Sequence, residues 1–100
     1  MKDLRELQRV AREMQANMER AQAQLAEETV EGTAGGGAVT VVMTGTQEIR
    51  SVRIAPEAVD PSDVETLQDL VLAATRDALT RSKELASSKL GGITGGLQLP

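Results

Sequence analysis

Histidine and cysteine, which carry much of enzyme chemistry, are both missing from this 100-residue chain. Without thiolate or imidazole, disulfides, zinc sites of the usual type and the commonest general base are excluded. The remaining candidates are few. Asp60, Asp63 and Glu65 cluster, and paired carboxylates can move protons or hold Mg²⁺. They sit where a helix begins, however, and there carboxylates complement the helix dipole. Gly35-Gly36-Gly37 has the backbone freedom of a phosphate cradle. No Lys-Ser/Thr follows it, and strand-like runs flank it on both sides, so it reads as a hairpin turn. Ser87-Ser88-Lys89 has neither a base nor an oxyanion donor nearby in sequence and reads as a polar helix end. No catalytic residue, metal ligand, cofactor or small-molecule substrate is expected.

The basic residues are better organised. Lys2, Arg5, Arg9 and Arg12 are spaced 3, 4 and 3 apart, so on a helix they form one stripe. Arg76 and Lys83 lie one heptad apart, and Arg81 and Lys89 belong to the same region. Such a stripe can grip phosphates. It can also be a solvated face laced with ion pairs such as Arg9 with Glu13. The net charge of −4 hides an uneven distribution: residues 1–20 sum to +1, residues 21–75 to −7 and residues 76–100 to +2. Local field counts for more than net charge in attracting a polyanion. A dimer would double the first stripe to about eight cations. With no Phe, Tyr or Trp, stacking on single-stranded bases is disfavoured.

The elements that must position these residues give an α+β chain. Leu4, Leu7, Ala11, Met14, Met18, Ala21 and Leu25 alternate by 3 and 4, a heptad seam on a helix over residues 3–27. That helix would be about 37 Å long, against a radius of gyration near 13 Å for a compact chain of this length. It should therefore project, and its seam (Leu4, Leu7, Met14, Met18 and Leu25 above all) needs a partner. The second helix and the same helix of another subunit both qualify. A core without aromatic residues is shallow, which also favours a dimer.

Strands are expected at 29–34, 38–44 and 48–55, joined as an antiparallel meander. Val39, Val41 and Met43 should share one face, with Val52 and Ile54 inward. Ile49 breaks the alternation and, with Val42, makes the second face partly apolar, a candidate subunit contact. A second helix is expected over 62–90, with Ser62-Asp63-Val64-Glu65 as a capping box. Val64, Leu67, Val71, Ala74, Ala78 and Leu85 form its inner stripe, with Leu70 and Leu79 widening it; Arg81 falls on that stripe too. Gly91-Gly92 should end the helix. Residues 1–92 then form a single domain and 93–100 a flexible Gly-rich tail. The polar N-terminus and the lack of any apolar run near 20 residues point to a cytoplasmic protein without a membrane partner.

The whole chain resembles the YbaB/EbfC nucleoid-associated proteins. The matching segments are Val30-Glu31-Gly32, Gly35-Gly36-Gly37-Ala38-Val39 and Val41 through Gly45. They continue with Arg50-Ser51-Val52-Arg53-Ile54, Leu67-Gln68-Asp69-Leu70-Val71 with Ala73-Ala74, and Gly96-Leu97-Gln98-Leu99-Pro100. The resemblance implies a cytoplasmic, nucleoid-located homodimer of tweezer-like shape. Its helices would engage double-stranded DNA and alter its conformation, with roles in nucleoid organisation, DNA protection and gene regulation. The expected DNA-contacting residues are then Lys2, Arg5, Arg9, Arg12, Arg76, Arg81, Lys83 and Lys89. The rival expectation is a protein-interaction or holdase-like module that uses the Met/Leu seam.

Overall fold

The computed structural model describes residues 3–94, with side chains through Gly91. Helix α1 spans Leu4–Glu27, strands β1, β2 and β3 span Thr29–Ala34, Val39–Thr44 and Ile49–Ile54, and helix α2 spans Val64–Thr94. The strands form an antiparallel meander in the order β1-β2-β3. This is the expected α+β architecture, with one addition: a 3-10 turn at Pro56–Ala58 links β3 to α2. Lys2 and residues 95–100, most of the expected tail, lie outside the described residues.

Helix α1 starts where Asp3 accepts the Glu6 N–H at 3.1 Å, and no Gly or Pro interrupts it. The cap of α2 is one residue later than the capping box implies. Asp63 accepts the Thr66 N–H at 3.3 Å and the Thr66 hydroxyl at 2.7 Å. Ser62 instead donates its N–H and hydroxyl to Asp60, at 2.9 and 2.7 Å. Ser and Asp are comparable caps, and a carboxylate gains further from the helix dipole. The other end is also corrected: α2 runs through Gly91-Gly92 to Thr94. A helical glycine costs about 1 kcal/mol relative to Ala, which weakens a long helix without breaking it.

Helix α2 packs mainly on β1 and β2. Val39, Val41 and Met43 are buried with Ala74 and Ala78, and Leu67, Leu70 and Val71 close the cluster. Small residues allow the helix to sit close. A Cβ on Gly32 would run into the backbone of Ala74 and Ala78. Two polar contacts fix the same interface: the Thr33 N–H donates to Asp77 at 2.9 Å, and the buried Ser82 hydroxyl donates to the Thr44 carbonyl at 2.7 Å. Thr44 also organises the β2–β3 turn, its hydroxyl accepting the Thr46 and Glu48 N–H groups at 3.2 and 3.1 Å.

Several residues expected inside are not. Val52 and Ile54 are exposed, as is all of β3, because α2 lies to one side of the sheet. Ile49 does not join Val42. A register shift at Val42/Met43 pairs Ile49 with Met43, so Ile49 shares the helix-side face with Val52 and Ile54. Val64, in the first turn of α2, is exposed beyond the sheet, and Arg81 points out to an ion pair with Asp77 at 3.2 Å. Of the α1 seam, only Ala21 and Leu25 are buried; Leu4, Leu7, Met14 and Met18 are exposed. The molecule is accordingly elongated, 73 × 27 × 16 Å with a radius of gyration of 19.8 Å.

Candidate nucleic-acid interface

The root of the projecting helix is held from three sides. Leu25 is buried and its carbonyl accepts the Gly45 N–H at 2.9 Å. Arg50 donates to the Ala26 carbonyl at 3.0 Å. From α2, Lys89 donates to Gln24 at 3.2 Å and to Glu28 at 3.0 Å. Beyond this root, from Leu4 to Arg20, every described residue of α1 except the partly covered Glu6 is exposed. Arg5 therefore stands 20 residues from Leu25, about 30 Å out along the helix.

The basic stripe lies on this projecting part. Arg5, Arg9 and Arg12 fall on the side of α1 opposite the Leu/Met seam, as 100° per residue requires. Arg9 is shared between Glu13 at 2.8 Å and Glu6 at 3.9 Å. These are exposed pairs, each contributing a fraction of a kcal/mol, so a phosphate can displace them. Arg5 and Arg12 form no ion pair among the described residues. Lys2, the first residue of the expected stripe in sequence, lies outside the described residues.

The cations of α2 divide into two groups. Arg76 and Lys83 are exposed and likewise form no ion pair among the described residues. Arg81 and Lys89 are already engaged, with Asp77 and with Glu28. Lys89 is the least exposed of these side chains, at 24%, and its geometry fits joining the helices better than reaching a ligand. The structure thus brings Arg5, Arg9 and Arg12 together on one arm and leaves Arg76 and Lys83 on the body. Spacing alone misses one cation. Arg20, hydrogen-bonded to Asn17 at 3.0 Å, lines the same α1–α2 crevice as Lys89. It lies on the stripe's side of the helix, but the gap of eight residues after Arg12 hides it.

The carboxylates have structural work. The Asp60 carboxyl is held below the usual carboxylate range by the Ser62 hydroxyl and N–H. Asp77 is lowered chiefly by the Thr33 N–H, against a smaller opposing effect of burial and with help from Arg81. Among the described residues, no group of three His, Cys, Asp or Glu could hold a metal ion. Gly35-Gly36-Gly37 forms the β1–β2 turn, with φ of 65°, 67° and 95°, values that favour glycine. Among the described residues, no helix is long and apolar enough to cross a membrane.

A solved structure shares this fold, and curated sequences match the chain. A crystal structure of an uncharacterised protein from Helicobacter pylori superposes with a TM-score of 0.75 at 18% identity, covering 98% of this chain and 100% of that one. Among curated sequences, a nucleoid-associated protein of Roseiflexus sp. (strain RS-1) is 55% identical over 96% of this chain and 95% of its own length. One from Acetivibrio thermocellus is 52% identical over 95% of this chain and 84% of its own. A family model described as the YbaB/EbfC DNA-binding family matches residues 1–97. With its long projecting helix, three-stranded meander and second long helix, the chain belongs to the YbaB/EbfC DNA-binding family.

Proposed function

We propose that the protein is a nucleoid-associated architectural protein that binds double-stranded DNA as a homodimer. It grips phosphates and duplex shape and reads few base edges. Altered DNA conformation would then serve nucleoid organisation, DNA protection and gene regulation. The observation that carries this reading is the exposed Arg5–Arg9–Arg12 stripe on a projecting helix, in a member of a DNA-binding family. Arg76 and Lys83 would add contacts from the body, with Arg81 and Lys89 in supporting positions. Nothing in this site calls for catalysis.

The homodimer is supported by the second apolar surface. Ile54 of β3 and Leu67, Val71 and Leu72 of α2 line an open groove, and Ile49 and Val52 extend it along the sheet. A second copy related by a two-fold axis could lay its α2 flank over this β3 while offering its own β3 in return, an isologous contact.

A gel-shift titration across salt tests the DNA reading. Replacing Lys2, Arg5, Arg9 and Arg12 together with Gln should weaken binding and flatten the log–log salt slope by about 0.9 for each phosphate no longer neutralised. Unchanged affinity would remove the stripe from the interface. The uncovered Leu/Met seam favours a second reading, in which a client protein docks there; the stripe variant would then leave client binding intact.

A further inference from the structure

Helix α1 segregates its side chains more sharply than a solvated arm requires. In heptad terms the seam positions are Leu4, Leu7, Ala11, Met14, Met18, Ala21 and Leu25. The positions flanking a seam normally carry the charges that choose a partner. Here one flank is Gln8, Gln15 and Gln22, and the other is Val10, Asn17 and Gln24. The only flanking charge, Asp3, is the helix N-cap. Every other charged residue from Arg5 to Glu27 falls on the three outer positions.

Two further observations say that the seam is a contact surface. Its inner part, Ala21 and Leu25, is already buried in the body, so the outer part continues an existing interface. The outer part leaves Leu4 and Leu7 exposed at 67% and 58%, and Met14 and Met18 at 39% and 38%. A helical stretch of some 15 residues with no packed face is marginal in water.

We propose that the outer seam pairs antiparallel with the same seam of another copy, as a second self-contact distinct from the α2/β3 groove. Neutral flanks suit antiparallel self-pairing, in which each flank faces the same flank of the other copy and a flank of one charge would meet its like. The antiparallel sense keeps the two bodies at opposite ends of the pair. It sets Leu7 against Met18 of the other copy and Ala11 against Met14, so the smallest seam residue faces a long, adaptable one. The basic stripe stays on the outer surface of both helices. Two self-contacts on one chain link copies in alternation, so groove-paired dimers would join through their arms.

Sedimentation velocity across chain concentration tests this, independently of any DNA binding. The wild type should form species larger than a dimer as concentration rises. Leu7→Glu/Met14→Glu, placed at residues exposed in the single chain, should stop at the dimer with unchanged circular dichroism. Leu72→Lys/Val52→Lys should remove the groove contact and leave pairing through α1. A seam variant that assembles like wild type, or a groove variant that is monomeric at every concentration, would overturn the seam pairing; a wild-type dimer that the groove variant keeps and the seam variant loses would support it and overturn the groove contact instead. Because the chain has no cysteine, single thiols report the sense of pairing. A mixture of Ala11→Cys and Met14→Cys should cross-link on mild oxidation far more than either alone; the reverse pattern would refute the antiparallel arrangement.

Discussion

Gly32→Ala is the most demanding test of how α2 is seated. A methyl group there would meet the Ala78 N and Cα and the Ala74 carbonyl oxygen. These are main-chain atoms of a continuous helix, so no side chain can rotate away and α2 must lift from β1. Overpacking of a well-packed core costs about 1–3 kcal/mol, and more where the backbone must move. Lifting α2 also strains the Thr33–Asp77 and Ser82–Thr44 hydrogen bonds, each contributing about 1 kcal/mol. The expected destabilisation is therefore about 3–5 kcal/mol, a large part of a small domain's stability. Urea unfolding followed by circular dichroism measures it, at one fixed chain concentration so that self-association contributes equally. Gly36→Ala is the control. Its methyl would meet nothing within 4 Å, and its φ of 67° limits the cost to about 1–2 kcal/mol of left-handed strain. Ala78→Gly should not rescue Gly32→Ala, since the clash is with backbone. A Gly32→Ala variant within about 1 kcal/mol of wild type, or rescued by Ala78→Gly, would refute this account of the packing.

Two further outcomes concern the seating of α2 and the turn that leads into it. Ser82→Ala removes the donor to the buried Thr44 carbonyl and should cost about 1–3 kcal/mol in the same unfolding assay, with little change in secondary structure. Acid should destabilise the fold through Asp77 and Asp60, whose carboxyls are lowered from 3.8 in the folded chain. Their contribution is complete above the ordinary carboxylate range and is lost as pH falls through the lowered folded values. A series of melts from pH 6 to pH 2 should show Asp77→Asn with a shallower acid dependence than wild type; parallel curves would remove Asp77 from the cause.

Much of the architecture is written in local pattern. The 3–4 alternation from Leu4 to Leu25 specifies α1, and the Val/Thr run of β2 with its glycine turn specifies the hairpin. The misses arise where local signals are degenerate or the deciding contact is distant. Ser62 and Asp63 are both competent caps, and only the geometry of Thr66 chooses between them. One extra residue in β3 moves Ile49 to the other face, which alternation cannot reveal without the register. Burial of Val52 and Ile54 depends on where α2 lies across the sheet, and that follows from the closeness allowed by Gly32, Ala74 and Ala78. An isolated glycine inside a strand is the available clue. For the candidate site, spacing groups Arg5, Arg9 and Arg12 on one face. It does not show that Lys89 is occupied at the root of α1 while Arg76 and Lys83 form no ion pair among the described residues.

The root of α1 has a mechanical consequence. Among the described residues, α1 is clasped from Ala21 to Glu28 and not beyond, which makes it a lever with a short fixed end. At about 30 Å from that fulcrum, a tilt of about 10° moves Arg5 by about 5 Å, comparable to the rise of one helical turn. Where the outer seam is not paired with another copy, small adjustments at the root would become large ones at the tip, so the span across which the cations reach would be adjustable without repacking the body. Such a gauge suits a ligand whose backbone spacing varies along its length.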